Sequence, residues 1–267
     1  MPEESAEELL SRIDTNVPHP ARVWDYWLGG KDNYPADRAV GEEILSVMPE
    51  LVVNARAERE FLGRAVRHLA ADVGIRQFLD IGTGIPAADN THQVAQSVAP
   101  DAKVVYVDND PIVLVHARAL LAGTPEGVTS YVDADLRDPD RVLEEAGKSL
   151  DFSEPITLMM LGVLEFIPDS DQARTLVTRL VDSLAPGSHV MIAQSVRSPS
   201  MDEAAQRWND SGATPIALRT PDEVSRFFDG LELLDPGLVS LPQWRPGPGT
   251  LYAGREVFQY GGVARKS

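Results

Sequence analysis

The segment from Phe78 to Pro86 constrains the fold of this chain more than any other. Its sequence, FLDIGTGIP, joins an apolar run to Gly82 and Gly84 and places Asp80 two residues before the first glycine. Glycine permits backbone conformations, and a close approach of ligands, that a Cβ would block. The pattern predicts a buried β-strand that runs into a nucleotide-binding turn.

Two later strand-like runs also end in acids. The run from Lys103 ends at Asp108, whose carboxylate is placed to accept hydrogen bonds from ribose hydroxyls. The run from 128 to 132 leads to Asp135, which we expect to receive the exocyclic amine of an adenine. Asp80 suits a cationic group and would repel a pyrophosphate. Carboxylates after three successive strands therefore favour S-adenosylmethionine, which carries an ammonium.

Two other functions fit parts of the same pattern. Gly82-x-Gly84-x-x-Ala87 matches the relaxed dinucleotide fingerprint, so an NAD(P)-dependent oxidoreductase is an alternative. A non-catalytic module that binds S-adenosylmethionine is another, because no catalytic base is identifiable. A single acid after a strand is also common in the loops of acidic proteins. The three acids together with the glycine turn are what indicates a site.

The charge and composition exclude several classes of function. The 267 residues include 24 Lys and Arg against 41 Asp and Glu, a formal net charge of -17, which argues against nucleic acid and anionic membranes as partners. No cysteine is present, so disulfides and thiolate chemistry are excluded, and the scattered histidines predict no metal site. The acidic N-terminus and the short apolar runs predict a cytoplasmic protein. The oligomeric state is left open.

Downstream of residue 74, strand-like and helical runs alternate. The predicted strands span 77–81, 103–107, 129–132, 156–161 and 188–194. The predicted helices lie near 89–98, 111–121, 139–147 and 170–184. This alternation predicts an α/β fold with a doubly wound, mostly parallel sheet. Runs at 231–241 and 256–260 are expected to close the sheet as an antiparallel pair.

The N-terminal part has a different pattern. Residues 1 to about 15 form an acidic tail, and helical spacing of apolar residues predicts helices over 21–28, 35–47 and 51–73. We therefore predict a tail and helical cap over residues 1–74 and a Rossmann-like core over residues 75–267.

Several segments carry a resemblance to a known family. They are Pro20–Tyr34 with Asp37 and Arg38, Phe78–Pro86, Tyr106–Pro111, Asp133–Pro139, Leu161–Asp169 and Gly261–Lys266. Through them nearly the whole chain resembles an actinobacterial family of S-adenosylmethionine-dependent methyltransferases, formerly described as a domain of unknown function. The resemblance implies a class I methyltransferase fold and that cofactor, but no particular acceptor. Glu165 stands where the family would have a histidine.

The glycine turn and the resemblance together predict the cofactor site. The expected residues are Asp80, Gly82, Thr83, Gly84, Asp108, Asn109, Asp135, Leu136 and Leu161 near the strand ends, with Tyr26, Lys31 and Asn33 from the N-terminal segment. Tyr26 and Tyr34 are expected as aromatic walls, and Lys31 or Arg38 as a partner of the methionine carboxylate. The tryptophans of this segment are expected mainly as core anchors.

The acceptor is expected beside the fourth strand. Leu161 and Gly162 lie at its carboxyl end, the edge where open α/β sheets bind ligands. Glu165 is a candidate general base, although acids are common in such loops. Methyl transfer from a sulfonium is an in-line displacement that needs alignment and exclusion of water, so an obvious catalytic side chain is not required. The acidic surface and the cap favour a small-molecule acceptor.

Overall fold

The structure, a computed structural model, describes residues 11–120, 123–255 and 257–267. The predicted tail over residues 1–15 thus lies mostly outside the described residues, as do the end of the helix predicted near 111–121 and Glu256. None of the helices that the structure describes combines the length and the apolar character needed to cross a membrane.

Eight strands form one sheet in the described part of the chain. They are β1 Gln77–Ile81, β2 Lys103–Asp108, β3 Val128–Asp133, β4 Thr157–Leu161, β5 His189–Ser195, β6 Glu232–Leu233, β7 Val239–Ser240 and β8 Gln259–Arg265. The order is β3-β2-β1-β4-β5-β8-β6, and β7 also pairs with β8. Strands β1 to β5 are mutually parallel, whereas β8 runs antiparallel to β5. The predicted mostly parallel α/β sheet is confirmed.

Helices cover both faces of this sheet. They are α1 Pro20–Leu28, α2 Pro35–Val47, α3 Leu51–His68, α4 Thr91–Val98, α5 Pro111–Leu120, α6 Pro139–Ala146, α7 Ser170–Asp182, α8 Pro199–Asp210 and α9 Pro221–Ser225. Helix α3 continues through a π-helical turn, Leu69–Val73, and Gly74 ends it with φ +88°. Short 3-10 turns lie at Leu164–Phe166, Arg226–Phe228 and Leu241–Gln243.

The central strands are apolar because both of their faces are covered. Every residue of β1, β4 and β5 is buried. Side chains alternate across the sheet, so Leu79 and Ile81 join one apolar cluster, whereas Phe78 joins the cluster on the other face. The glycine turn after β1 is therefore fixed to a rigid strand.

The C-terminal strands differ from the prediction. The run 231–241 is not one strand but the two short strands β6 and β7, because Pro236 and the left-handed Gly237, with φ +87°, interrupt it. The last strand spans 259–265 and not 256–260. Its Gly261 is required by close packing, since an ideal Cβ there would lie 2.6 Å from Leu241 Cδ2 and 2.9 Å from the Ile192 carbonyl oxygen.

A buried polar cluster anchors the N-terminal helices to the sheet. His19 Nδ1 lies 2.6 Å from Asp110 Oδ2, just after β2, and the His19 backbone N–H donates to Asp37 Oδ1 at 2.9 Å. The Arg22 guanidinium lies 3.6 Å from Asp37 and 3.9 Å from Asp110. Because Asp37 is fully buried, this cluster fixes α1 and α2 against the carboxyl edge of the sheet.

Candidate active site

A cavity of about 450 Å³ lies at the carboxyl edge of the sheet, beneath α1. Its size is within the usual range for small-ligand sites. Its wall includes Asp80, Gly82, Thr83, Gly84, Asp108, Asn109, Asp135, Leu136 and Leu161, that is, all of the strand-end residues predicted from the sequence. The parallel strands bring these residues together because their carboxyl ends meet at one edge.

The glycine turn after β1 is held against β2. The backbone N–H of Gly82 donates to the Val107 carbonyl oxygen at 2.8 Å, and that of Gly84 donates to Asp108 Oδ2 at 2.9 Å. Gly82 has φ +74°, and an ideal Cβ there would lie 2.6 Å from Val163 Cβ. Gly84 has φ +66°, but a Cβ there would meet no atom within 4 Å. Gly82 is thus required by packing, whereas Gly84 leaves open space at the cavity.

Asp80 is a buried acid at the end of β1. Burial, and to a smaller degree the charge of Asp108, raise its pKa to about 6, although the Thr91 hydroxyl and the charge of Arg59 act in the opposite direction. Thr91 Oγ1 donates to Asp80 Oδ2 at 2.7 Å. Cationic groups near this carboxylate would favour its ionised form.

Asp108 lies at the end of β2 with both carboxylate oxygens engaged. Oδ2 accepts from the Gly84 N–H, and Oδ1 accepts from the Asp110 N–H at 3.0 Å. Burial raises its pKa, against the effect of these two hydrogen bonds. The carboxylate therefore ties the turn to β2 while it still faces the cavity.

Asp135 follows β3 and is more exposed. Its Oδ2 accepts from Asn109 Nδ2 at 2.9 Å, and its Oδ1 accepts from the Arg137 N–H at 2.8 Å. Arg137 also donates to the Phe166 carbonyl oxygen at 2.6 Å. Arg137 thus links the loop after β3 to the 3-10 turn after β4.

The predicted N-terminal residues do not reach the cavity wall. Tyr26, Lys31 and Asn33 are absent from it, and so are Tyr34 and Arg38. Tyr26 donates from its hydroxyl to Glu42 Oε1 at 3.2 Å, and Lys31 is exposed. In this structure these side chains lie outside the wall of the cavity, in contrast to the predicted aromatic walls and carboxylate partner.

Hydrogen bonds within the segment explain why its polar groups turn away from the cavity. Asn33 Nδ2 donates to Asp25 Oδ2 at 2.7 Å, and Arg38 Nη1 donates to Asn33 Oδ1 at 3.0 Å. The Asp32 N–H donates to the same Asp25 oxygen at 2.9 Å. These groups fold the loop after α1, and Gly29, Gly30 and Asp25 form the wall instead.

Trp24 and Arg59 are among the wall residues that were not predicted for this role. Trp24, expected as a core anchor, is half-buried and lines the cavity, whereas Trp27 is buried among α1, α2 and α8 as expected. Arg59 on α3 also lines the cavity and donates to the carbonyl oxygens of Ala88 and Asp89 at 2.9 and 3.0 Å. Arg59 is one of four arginines in this amphipathic helix, and nothing in the sequence distinguishes it from Arg56, Arg64 and Arg67.

Glu58 is a third buried acid of the wall, and it lies on the β4 side of the cavity. Only 9% of it is exposed. Burial, the charge of Glu165 and, more weakly, that of Asp80 raise its pKa to about 8, although Arg59 opposes this rise. Gln259 Nε2 donates to Glu58 Oε2. Sequence reasoning missed Glu58 because it lies far from any motif.

Glu165, the candidate base, does not line this cavity. Burial raises its pKa, and it accepts hydrogen bonds from the Ser195 N–H at 3.1 Å and from Ser195 Oγ at 3.4 Å. It borders a smaller cavity of about 40 Å³ between α1, α3 and α8. Trp24 and Phe166 line both cavities, so the two adjoin.

Arg219 holds the 3-10 turn between the cavities. It is 1% exposed and donates to the carbonyl oxygens of Leu164 and Ile167 at 3.0 and 2.7 Å. Its guanidinium also faces Glu165, and their opposite charges attract. Within the described residues, no cluster of three or more His, Cys, Asp or Glu has the arrangement of a metal site.

Comparison with known proteins gives the family. A sequence model of the S-adenosyl methyltransferase family matches residues 6–267. The crystal structure of a DUF574 family protein from Streptomyces avermitilis MA-4680 is 44% identical with a TM-score of 0.92, over 96% of this chain and 100% of that one. A candidate methyltransferase from Thermobifida fusca YX is 40% identical with a TM-score of 0.89, over 95% and 97% of the two chains.

A more distant structure shares the fold alone. Human N-acetylserotonin methyltransferase, in complex with S-adenosylmethionine, is 15% identical with a TM-score of 0.51, over 98% of this chain and 65% of that one. Among curated proteins, none matches this chain. From the family match over almost its full length, the chain belongs to the S-adenosyl methyltransferases and is an S-adenosylmethionine-dependent enzyme.

Proposed function

We propose that this methyltransferase acts on a small molecule, bound beside the end of β4 and covered by α1. The observation that carries this proposal is the cavity itself, which α1 covers and which combines strand-end acids with apolar walls. The net charge of -17 disfavours a nucleic acid acceptor. The family gives no support to the nicotinamide alternative.

We assign the cofactor to the β1–β3 side of the cavity. Asp80 would pair with the ammonium, Asp108 with the ribose and Asp135 with the adenine amine, as the sequence pattern predicts. The open space at Gly84 suits close approach of the cofactor. Arg59 takes the role predicted for Lys31 or Arg38, because its guanidinium lies at the wall near Asp80 and is placed to pair with a carboxylate.

When bound, S-adenosylmethionine supplies an electrophilic methyl group on a sulfonium. The residues of this chain then align the acceptor and exclude water. Leu161 and Gly162 border both binding regions, and Trp24 covers them from α1. Residues 1–74 would thus act as a cap on a core of residues 75–267. The cytoplasmic location stays a prediction.

Isothermal titration calorimetry with S-adenosylmethionine and S-adenosylhomocysteine tests the cofactor assignment. We expect micromolar affinity for both, and no thermal stabilisation by NAD(H) or NADP(H). No binding of either adenosyl compound would contradict the assignment.

The acceptor class is tested separately with labelled S-adenosylmethionine. The protein is incubated with the low-molecular-weight, protein and nucleic acid fractions of a cell extract. We expect label in the low-molecular-weight fraction. Label in the protein or nucleic acid fraction alone would overturn the proposal.

A further inference from the structure

We propose that the acceptor is an amine with an apolar body, that Glu58 binds its nitrogen, and that Trp24 and Phe166 pack against its apolar part. This inference rests on the proposed function, since it names the substrate class of the same site. It starts from the position of Glu58, which no motif and no cofactor role accounts for.

Glu58 lies on the opposite side of the cavity from the acids assigned to the cofactor. An ideal Cβ on Gly162, just after β4, would lie 3.3 Å from Glu58 Oε2, and the partner of that oxygen, Gln259, begins β8. The sheet order places β4, β5 and β8 to one side of β1, and β2 and β3 to the other. Glu58 therefore faces the acceptor side.

One oxygen of Glu58 is available for a ligand. Oε2 accepts from Gln259, whereas no hydrogen bond reaches Oε1 from any of the residues that the structure describes. The side chain is nine-tenths buried and lines the cavity. Oε1 is not fully buried but keeps some accessible surface at the cavity, where an N–H of a ligand can donate to it.

The charges around Glu58 favour a cation over an anion. Glu165 from the 3-10 turn and Asp80 from β1 face it with like charge, and Arg59, its neighbour on α3, is the opposing cation. Arg59 is held by the carbonyl oxygens of Ala88 and Asp89, on the glycine-turn side. An ammonium at Glu58 would offset the repulsion among these acids.

The wall shared by the two cavities is apolar and indicates the character of the rest of the acceptor. Trp24 and Phe166 line both cavities, and apart from Glu165 and Ser195 the wall of the smaller cavity behind them is apolar. The smaller cavity has only about 40 Å³, well below the roughly 150 Å³ of a cavity that holds benzene. The apolar part of the acceptor therefore packs against Trp24 and Phe166 at the wall of the main cavity. Aromatic and aliphatic walls favour an aryl or alkyl group.

The proton balance fits this assignment. Overall, one N–C bond forms, one S–C bond breaks, and one proton leaves the acceptor nitrogen. Burial raises the pKa of Glu58 to about 8, so at neutral pH the free protein holds a proton on this carboxyl. The protonated carboxyl and a free ammonium together carry one proton more than the ion pair of carboxylate and ammonium. Binding of an ammonium therefore releases one proton to the buffer.

Calorimetry on the protein saturated with S-adenosylhomocysteine tests the proposal without turnover. The probes are 2-phenylethylamine and n-hexylamine, each compared with its alcohol, 2-phenylethanol or 1-hexanol. Titrations at pH 7 in two buffers of different ionisation enthalpy give the number of protons released. We expect at least about a tenfold preference for the amines, and release of close to one proton for the amines alone.

Matched variants assign the effect to Glu58. Glu58→Gln should keep its affinity for S-adenosylhomocysteine, lose the preference for amines and release no proton. Glu60→Gln is the control, because Glu60 lies on the same helix but pairs with Arg64 and is absent from the wall. It should behave like the wild type.

Several outcomes would overturn the proposal. They are equal or tighter binding of the alcohols, no binding of the amines at millimolar concentration, an unchanged preference in Glu58→Gln, or a tenfold loss of S-adenosylhomocysteine affinity in that variant. If the wild type fails to bind S-adenosylhomocysteine, the assignment of the cofactor fails instead, so the two failures are distinguishable.

Discussion

The two halves of the cavity are built in different ways. The half that we assign to the cofactor, here called the donor half, is defined by Asp80, Asp108 and Asp135 with the glycine turn, and it comes from three consecutive strand ends; the half that we assign to the acceptor is called the acceptor half. The acceptor half, defined by Trp24, Glu58 and Phe166, comes from α1, α3 and the turn after β4. Glu58 and its partner Gln259 are 201 residues apart in sequence. Residues of the donor half follow a repeated local pattern, whereas those of the acceptor half are brought together by the fold.

This difference predicts that donor-half variants change cofactor binding and that acceptor-half variants leave it intact. Because the two halves share one rigid sheet edge, a substitution in one half can disturb the other through the fold. Each variant is therefore compared with a control of similar chemistry elsewhere in the chain.

The largest effect is expected for Gly82→Ala, which would break the donor half. Both Gly82 and Gly84 have positive φ, which costs an alanine about 1 to 2 kcal/mol, but only at Gly82 would the added Cβ also press on Val163. The free energy of unfolding should fall by about 2 to 5 kcal/mol in Gly82→Ala and by about 1 to 2 kcal/mol in Gly84→Ala. Urea denaturation measures both, and equal losses would show that the contact with Val163 costs nothing.

Asp108→Asn should weaken the binding of S-adenosylmethionine by about 1 to 3 kcal/mol, the range for a lost partner of buried polar groups. The substitution keeps the size of the side chain but removes the charge that faces the cavity. Asp101→Asn is the control, because Asp101 is exposed and pairs with Arg76 before β2. Calorimetry should find the control unchanged, and unchanged affinity in Asp108→Asn would remove this residue from the site.

Because the acceptor half contains Glu58, we expect it to contribute to the pH dependence of the free energy of unfolding. The folded protein keeps a proton on Glu58 up to about pH 8, whereas the unfolded chain releases it near 4.5. Stability therefore falls as the pH rises through this window, by at most about 1.4 kcal/mol per pH unit for this group.

Glu58→Gln isolates this contribution. Asp80, Asp108 and Glu165 also have raised pKa values, so the stability of the variant still depends on pH through these groups. Urea denaturation between pH 5.5 and 7.5 gives the free energy of unfolding as a function of pH. In Glu58→Gln this free energy should depend on pH less steeply than in the wild type, by up to about 1.4 kcal/mol per pH unit, the equivalent of one proton. The curve of Glu60→Gln should run parallel to that of the wild type. Parallel curves for Glu58→Gln would mean that this carboxyl ionises normally in the folded protein.

The smallest effects on cofactor affinity are expected for variants of Arg59 and Lys31, and they test which of the two residues pairs with the carboxylate of the cofactor. Arg59→Gln should lower the affinity for S-adenosylmethionine by about 1.4 kcal/mol, or tenfold, because it removes the guanidinium from the wall. Lys31→Gln should leave the affinity within about twofold, since Lys31 is exposed and away from the cavity. The reverse result would mean that the loop after α1 closes over the bound cofactor.

The N-terminal segment shows where sequence patterns mislead. Its aromatic and polar residues, from Tyr26 to Arg38, have the composition of a binding loop. In the structure Asp25 and Asn33 use their polar groups to hold that loop, and the neighbouring Trp24 lines the cavity instead. Composition does not tell a side chain that binds a ligand from one that folds a turn.

The sequence by itself determined the parallel sheet, the glycine turn and the acids after β1, β2 and β3, because these follow from apolar periodicity and from the common edge of parallel strands. Tertiary structure alone decided which helix residues complete the cavity. Glu58, Arg59 and Arg219 carry no local signal, since their roles depend on burial and on partners distant in the chain. Burial also sets the raised pKa of Glu58, a property of its surroundings that the sequence around it does not reveal.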